Sequence, residues 1–281
     1  MITLRPGDPG YPARLRALPR PPDPLWLSGE VQWDRPTVAI VGTRRMSSYG
    51  ERVAREIAGA AAEAGAVVVS GLAQGIDATA HAAALERGGA TVAVLGEGLD
   101  AFTAGVPSRR RALGEAIVRS GALASQYAPD HPASRWSFAR RNATIAALGD
   151  ATVIVEAGEV SGALITAAEA RGLGRPVFAV PGPLGARTSR GTNALIVAHE
   201  AEALVDVRTL LRVLGLDSPT PLAPARPPGD PILEALAGGA APPDVLAARA
   251  GLDPATFASR LARLLISGAV ITLGDGRLAR R

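Results

Sequence analysis

Several loops of this chain combine glycine, hydroxyl and guanidinium groups in the manner that anion binding requires. In Gly42-Thr43-Arg44-Arg45-Met46-Ser47-Ser48-Tyr49-Gly50 an apolar run ends and a helical pattern begins. A helix starting there turns its free N–H groups toward the loop, Thr43 and Ser47 offer hydroxyls, and Arg44 and Arg45 offer bidentate forks, which together suit a phosphate. A second loop, Ser70-Gly71-Leu72-Ala73-Gln74-Gly75-Ile76-Asp77, repeats the arrangement, with glycines that permit close backbone approach and Asp77 as the expected N-cap. Ser161-Gly162 and Ser189-Arg190-Gly191-Thr192-Asn193 follow later apolar runs. Each loop alone is equally well a strand-to-helix turn with surface arginines. Their recurrence after successive runs is what favours one long anion-binding surface.

A different pattern occupies Arg135-Trp136-Ser137-Phe138-Ala139-Arg140-Arg141-Asn142, where two aromatics alternate with three arginines in a chain of only 4% aromatic residues. Rings that stack on base faces beside guanidiniums that hold a sugar-phosphate backbone are what single-stranded nucleic acid needs. The run Arg109-Arg110-Arg111 reads first as a solvated helix start. His81 has no carboxylate or serine at a catalytic spacing and reads as a packed residue.

Composition removes whole classes of chemistry. The 281 residues contain no cysteine, so disulfides, thiolate metal sites, iron–sulfur clusters and cysteine nucleophiles are excluded. All thirty basic residues are arginine, so the lysine of a Walker A loop is missing, and the loop at Gly42 does not have the dinucleotide G-x-G-x-x-G spacing either. The net charge of +4 is modest, and residues 35–212 hold 19 arginines against 16 acids. Any anion site therefore draws on local clustering of cations. The chain starts without an apolar leader and has no apolar run near the ~20 residues that span a bilayer, so it is expected to be cytoplasmic, with no membrane insertion.

The elements that must position these loops are legible as five Val- and Ile-rich runs, at 37–42, 66–71, 91–96, 151–157 and 175–182, separated by helical patterns that end in glycine. This predicts an α/β fold: a Rossmann-like, doubly wound, mostly parallel sheet over residues 35–216, with its ligand crevice at the strand C-termini. Residues 1–34 read as an extended N-terminal cover segment. DSPTPLAPARPPGD carries five prolines, and 217–229 is expected to be a linker. Three short helical patterns and a Gly-Asp-Gly turn over 230–281 predict a small winged-helix domain.

Taken in order, YPARL, VGTR, SGLAQGID, VLGEGLD, RRN, VIVEA, SGALITAAEA, VFAVPG and GTNALI resemble the DprA/Smf family, the DNA-processing proteins of natural transformation, over about Tyr11–Asp206. The resemblance implies a Rossmann-like core that binds single-stranded DNA, forms a homodimer and helps load the RecA recombinase during DNA uptake and recombination. It places Arg44 at a DNA-contact position and Gly71, Gln74 and Gly75 in a second phosphate-facing loop. Arg141-Asn142 match the start of an Arg-Asn-Arg motif whose last member is Ala143 here, so that phosphate contact is either missing or supplied by Arg140. Gly42, Thr43, Arg45, Ser47, Arg109, Ser161 and Gly162 complete the expected DNA site, and Leu195 and Ile196 fall at the expected dimer contact. The sequence departs from the family in lacking Tyr-Pro after Gly98-Leu99-Asp100, in Gln126 after Ser125, and in the residues after Ile196.

The expectation is a binding protein with no catalytic residue, cofactor or metal. Two other classes stay open. Glu156 and Pro181-Gly182 faintly match a related Rossmann-like group that hydrolyses nucleoside monophosphates, although its Gly-rich loop is missing. A winged-helix transcriptional regulator is the second, acting through Arg260 and Arg263.

Overall fold

The computed structural model describes residues 1–217, 230–266, 269–273 and 276–280. The chain divides into two compact units, Met1–Ser218 and Pro219–Arg281. The expected linker lies outside the described residues, apart from Asp217.

In the first unit, strands β1 (Ile2–Leu4), β2 (Leu25–Gly29), β3 (Thr37–Val41), β4 (Val67–Ser70), β5 (Thr91–Leu95), β6 (Ala122–Ser125), β7 (Ala151–Ile154), β8 (Val177–Ala179) and β9 (Glu202–Ala203) form one sheet. The spatial order is β1-β2-β6-β5-β4-β3-β7-β8-β9. From β6 to β9 every pairing is parallel, while β1 and β2 are antiparallel additions at one edge. The helices are α1 (Ser48–Glu63), α2 (Ile76–Glu86), α3 (Leu99–Gly105), α4 (Ser108–Ser120), α5 (Arg135–Leu148), α6 (Gly162–Gly172), α7 (Arg190–Val197) and α8 (Val207–Val213).

The central strands are apolar throughout because both faces are covered, as a doubly wound sheet requires. Val38 and Ile40 point toward α1, α2 and α8, whereas Ala39 and Val41 point toward α5, α6 and α7, following the period-2 alternation of a strand. The strand order reverses between β3 and β7, the position at which folds of this kind form a crevice.

The reading of residues 1–34 as a mere cover is corrected. They supply two strands of the main sheet, and Tyr11, Leu15, Leu18, Leu25 and Leu27 belong to the same buried cluster as α5 and α6. A polar clasp fixes the segment between these strands: Arg14 donates from Nε and Nη2 to Asp150 at 2.6 and 2.7 Å, and the same carboxylate accepts the Thr37 N–H at 2.8 Å. The antiparallel edge escaped the sequence reading because Ile2–Leu4 is short and β6 pairs with β2 through an Ala-Leu-Ala-Ser segment of low strand propensity.

The second unit contains α9 (Pro231–Ala235), α10 (Pro243–Ala250), α11 (Pro254–Ile266) and the antiparallel pair β10 (Val270–Thr272) and β11 (Leu278–Arg280). Ile232, Leu236, Leu246, Phe257, Val270 and Leu278 form its buried core, and an isolated bridge from Ala241 to Leu278 extends the hairpin.

His81, fully buried on α2, binds the Thr91 hydroxyl at 2.7 Å, and that hydroxyl in turn donates to the Val68 carbonyl. Burial, reinforced by the nearby Arg141 charge, pulls its pKa down to about 3. The unfolded chain takes up this proton near pH 6.5 and the folded chain does not, so stability falls as pH drops from about 6.5 toward 3. At pH 5 the His81 contribution should amount to about 2 kcal/mol of lost stability relative to pH 7.5. Denaturant titrations should show that loss in the native chain and its absence in His81→Asn, which keeps a donor toward Thr91; equal pH dependence in the two would refute the assignment.

Candidate nucleic-acid interface

The C-terminal ends of β3, β4 and β5 meet the first two turns of α5. Ser134 starts that helix with a capping box, its hydroxyl accepting from Ser137 N–H at 3.0 Å while the Ser137 hydroxyl accepts from Ser134 N–H at 2.9 Å. This fixes the helical phase, so Phe138 and Arg141 face the loops while Trp136 and Arg140 share an outer stripe.

Phe138 is the point of convergence. The guanidinium of Arg44 lies 5.6 Å from its ring centroid and that of Arg141 lies 5.7 Å away. Gly96, at the end of β5, permits this approach, because a Cβ there would collide with the ring. The first two loops also touch: Ile76 N–H donates to the Thr43 carbonyl at 3.2 Å, and Gly75 takes φ +91° against the backbone of Thr43 and Arg44. A side chain at Gly75 would meet both the left-handed backbone and that neighbour. Arg44 and Arg45 remain exposed at the rim, as does Gln74.

Arg141 itself is not open to a ligand, which corrects its expected place among the direct phosphate contacts. Only 4% of it is exposed. Its Nη1 donates to the Gly71 carbonyl at 2.7 Å and to the Val94 carbonyl, joining the ends of β4 and β5. Asp77 completes the clasp from the other side, its carboxylate accepting the Gly71 N–H at 3.2 Å. Burial lowers the Arg141 pKa to about 10 and raises that of Asp77, and each charge offsets part of the other's shift. The guanidinium stays charged at neutral pH. Asp77 is thus a loop anchor, and the N-cap position of α2 belongs to Gly75.

A second correction concerns the first helix. Its N-cap residue, Ser47, does not face open space, because Glu156 extends from beyond β7 into the crevice between β3 and β7. The buried carboxylate accepts from Ser47 N–H at 2.9 Å, the Ser47 hydroxyl at 2.6 Å and the Thr188 hydroxyl at 3.0 Å, and its backbone carbonyl accepts from Thr43 N–H at 2.7 Å. Gly50 leaves room for it, since a Cβ there would collide with the carboxylate. An internal anion therefore stands where an external phosphate was expected, and the Ser47 hydroxyl is committed to it. These three donors fix the carboxylate in the crevice.

The other expected residues fall around this centre. Asn142 donates to the Gly162 carbonyl at 3.0 Å, tying α5 to the start of α6, where the Ser161 hydroxyl accepts from Ala163 N–H. Arg140 is exposed, stacked 5.3 Å from the ring of Trp136. Trp136 is 59% exposed and leans on Tyr127, which stacks on His131 at 4.6 Å. Arg109 is exposed in the first turn of α4. Its neighbour Arg110 is the arginine that reaches the second loop, donating to the Leu72 carbonyl at 3.0 Å and pairing with buried Glu97. The triple-arginine run was the available signal, but choosing its inward member required the helix phase. Leu195 is only 8% exposed and packs in its own core, so of the expected dimer-contact pair only Ile196 keeps partial exposure, beside Val197 at 80%.

Fold and site together define a Rossmann-like protein whose strand ends carry a cationic and aromatic rim. The model of the family described as DNA recombination-mediator protein A matches residues 2–215, and that of the DprA winged helix domain matches residues 217–276. The chain belongs to the DprA, or Smf, family of DNA processing proteins. A DprA relative in Mycobacterium tuberculosis is 40% identical, with 95% of this chain and 71% of the relative aligned; Protein Smf of Escherichia coli is 35% identical, with 95% and 74% aligned. The crystal structure of DprA from Streptococcus pneumoniae superimposes with a TM-score of 0.69 at 34% identity, covering 75% of this chain and 73% of that one. DNA processing protein A from Helicobacter pylori, whose structure concerns its single-stranded DNA binding mode, gives 0.67 at 31% identity, covering 74% and 94%.

The two arginines at Phe138 should separate cleanly in a denaturation experiment. Arg141→Ala strands two carbonyls and removes the counter-charge of Asp77, so it should lower unfolding free energy by about 2–4 kcal/mol. Arg44→Ala should stay within about 0.5 kcal/mol of the native chain. Equal effects would contradict the division into a structural and a rim arginine.

Proposed function

We propose that this protein binds single-stranded DNA along the rim formed by the ends of β3, β4 and β5 and the start of α5, without covalent catalysis. The observation that carries this reading is the surface formed by exposed Trp136, Arg44, Arg45 and Arg140 around half-buried Phe138, beside a crevice already filled by Glu156. Unpaired bases can stack on such rings, and the guanidiniums neutralise phosphates whatever the sequence. Duplex DNA keeps its bases stacked internally and gains only the phosphate term. Gly42, Gly71 and Gly75 act by letting the loops approach one another, and Asn142, Ser161 and Gly162 by fixing the neighbouring helix.

The family assignment and the DNA-binding relative support extending this to DNA uptake and recombination, with the protein holding a strand extended for a RecA-type recombinase. A homodimer would set two such rims on one strand and raise avidity wherever the strand reaches both. No helix among the described residues is long and apolar enough to cross a membrane. The regulator reading has less support: Arg260, one of its two proposed DNA contacts, lies 3.7 Å from Asp230 within the second unit.

Fluorescence anisotropy with oligo-dT tests the proposal. If about six phosphates are neutralised, affinity should fall by about 2.5 decades between 50 and 200 mM salt. Arg44→Ala and Trp136→Ala should each weaken binding by about 1–3 kcal/mol, and only the arginine variant should lower the salt slope. Unchanged affinity in the double variant would place the strand elsewhere.

A further inference from the structure

On its outer side α5 borders an open cavity of about 220 Å³ that the N-terminal segment flanks through Leu18, Pro19 and Arg20. Arg20, Arg140, Gln126, Ala143, Thr144 and Glu169 line it. That volume is about seven water molecules' worth, ample for a phosphodiester with part of its sugar. The floor is internally satisfied: the Thr144 hydroxyl donates to the Gln126 side-chain carbonyl, and the Gln126 amide donates to the Tyr127 hydroxyl at 3.3 Å. The methyl group of Ala143 leaves the space open. What remains available to a ligand is charge.

Arg20 makes no side-chain hydrogen bond or ion pair among the described residues, and it sits in a Pro19-Arg20-Pro21-Pro22 stretch whose backbone the prolines stiffen. Arg140 is held over Trp136 at 5.3 Å and also lines the cavity, so one side chain borders both places. Against these two cations stands one carboxylate, Glu169. Along the helix axis Thr144 lies six residues beyond Phe138, about 9 Å away, too far for the phosphate held at Arg44 to serve both places.

We propose that this cavity is a second phosphate subsite: the strand leaving Phe138 passes over Trp136 along the outer stripe of α5, and its next phosphodiester binds between Arg140 and Arg20. The inference rests on the single-stranded DNA reading and adds a direction to it, because the strand then runs off the sheet edge toward residues 18–20. It also gives the N-terminal segment, fixed in place by the Arg14–Asp150 clasp, a part in binding.

Anisotropy titrations of the full chain with oligo-dT of about 2 nucleotides, which carries a single phosphodiester, and of about 15 nucleotides provide the test. Arg20→Ala should weaken the longer oligonucleotide about tenfold and reduce its salt slope by about 0.7, while leaving the shorter one unchanged. Glu169→Gln should act in the opposite sense and tighten the longer one. The subsite is overturned if both variants bind the longer oligonucleotide as the native chain does while Arg44→Ala weakens both lengths. If Arg44→Ala changes neither length, the rim reading itself fails and the subsite goes with it. A third arm uses inorganic phosphate alone: binding that Arg20→Ala abolishes without altering DNA affinity would assign the cavity to a free anion and likewise overturn the strand path.

Discussion

The buried guanidinium of Arg141 is the interaction on which the strand-end architecture depends. Loops after parallel strands are normally held only by their own turns, and three of them side by side would drift independently. Here one planar cation bonds the carbonyls at the ends of β4 and β5, while Asp77 holds the opposite side of the Gly71 peptide. Placing that charge out of water is costly, and the shift of its pKa to about 10 reflects the cost. The return is geometric. With the loops locked and Phe138 pressed against Gly96, Arg44 has a fixed ring to sit on rather than a mobile tip.

Glu156 sets the other boundary. In an open α/β sheet the crevice at the strand-order reversal is where ligands bind, and the helix N-terminus beside it favours anions. This chain fills that place with its own carboxylate, bound by Ser47 and Thr188. The same contact that removes the ordinary nucleotide site also shapes the first loop and leaves Arg44 on the side facing α5. On the proposed reading, a polyanion approaching the sheet edge would be repelled from the crevice and attracted one strand over, to the aromatic rim.

Much of this was legible in the sequence, and the failures have physical causes. The five apolar runs became buried parallel strands because Val and Ile packed on two faces leave little alternative. The convergence of Arg44 with the Arg135–Asn142 segment also followed from the topology, since both lie at the C-terminal edge. Sequence could not show that Arg141 turns inward and Arg140 outward: adjacent arginines differ only by 100° of helical phase, fixed here by the capping box at Ser134. Nor could it show that Glu156 would take the α1 N-terminus, a contact spanning 109 residues. Strands β1, β2 and β6, on one side of the sheet, were missed because their pairing, rather than their propensity, makes them strands.

The central claim, that a bound strand lies on the aromatic rim instead of in the crevice, can be measured directly at Trp136. In a Trp26→Phe, Trp33→Phe background Trp136 is the only tryptophan left, and its exposed ring reports a base stacked on it. Adding oligo-dT should quench its fluorescence with the same midpoint and salt dependence as binding seen by anisotropy. Full binding by anisotropy with no change in Trp136 emission would contradict the account.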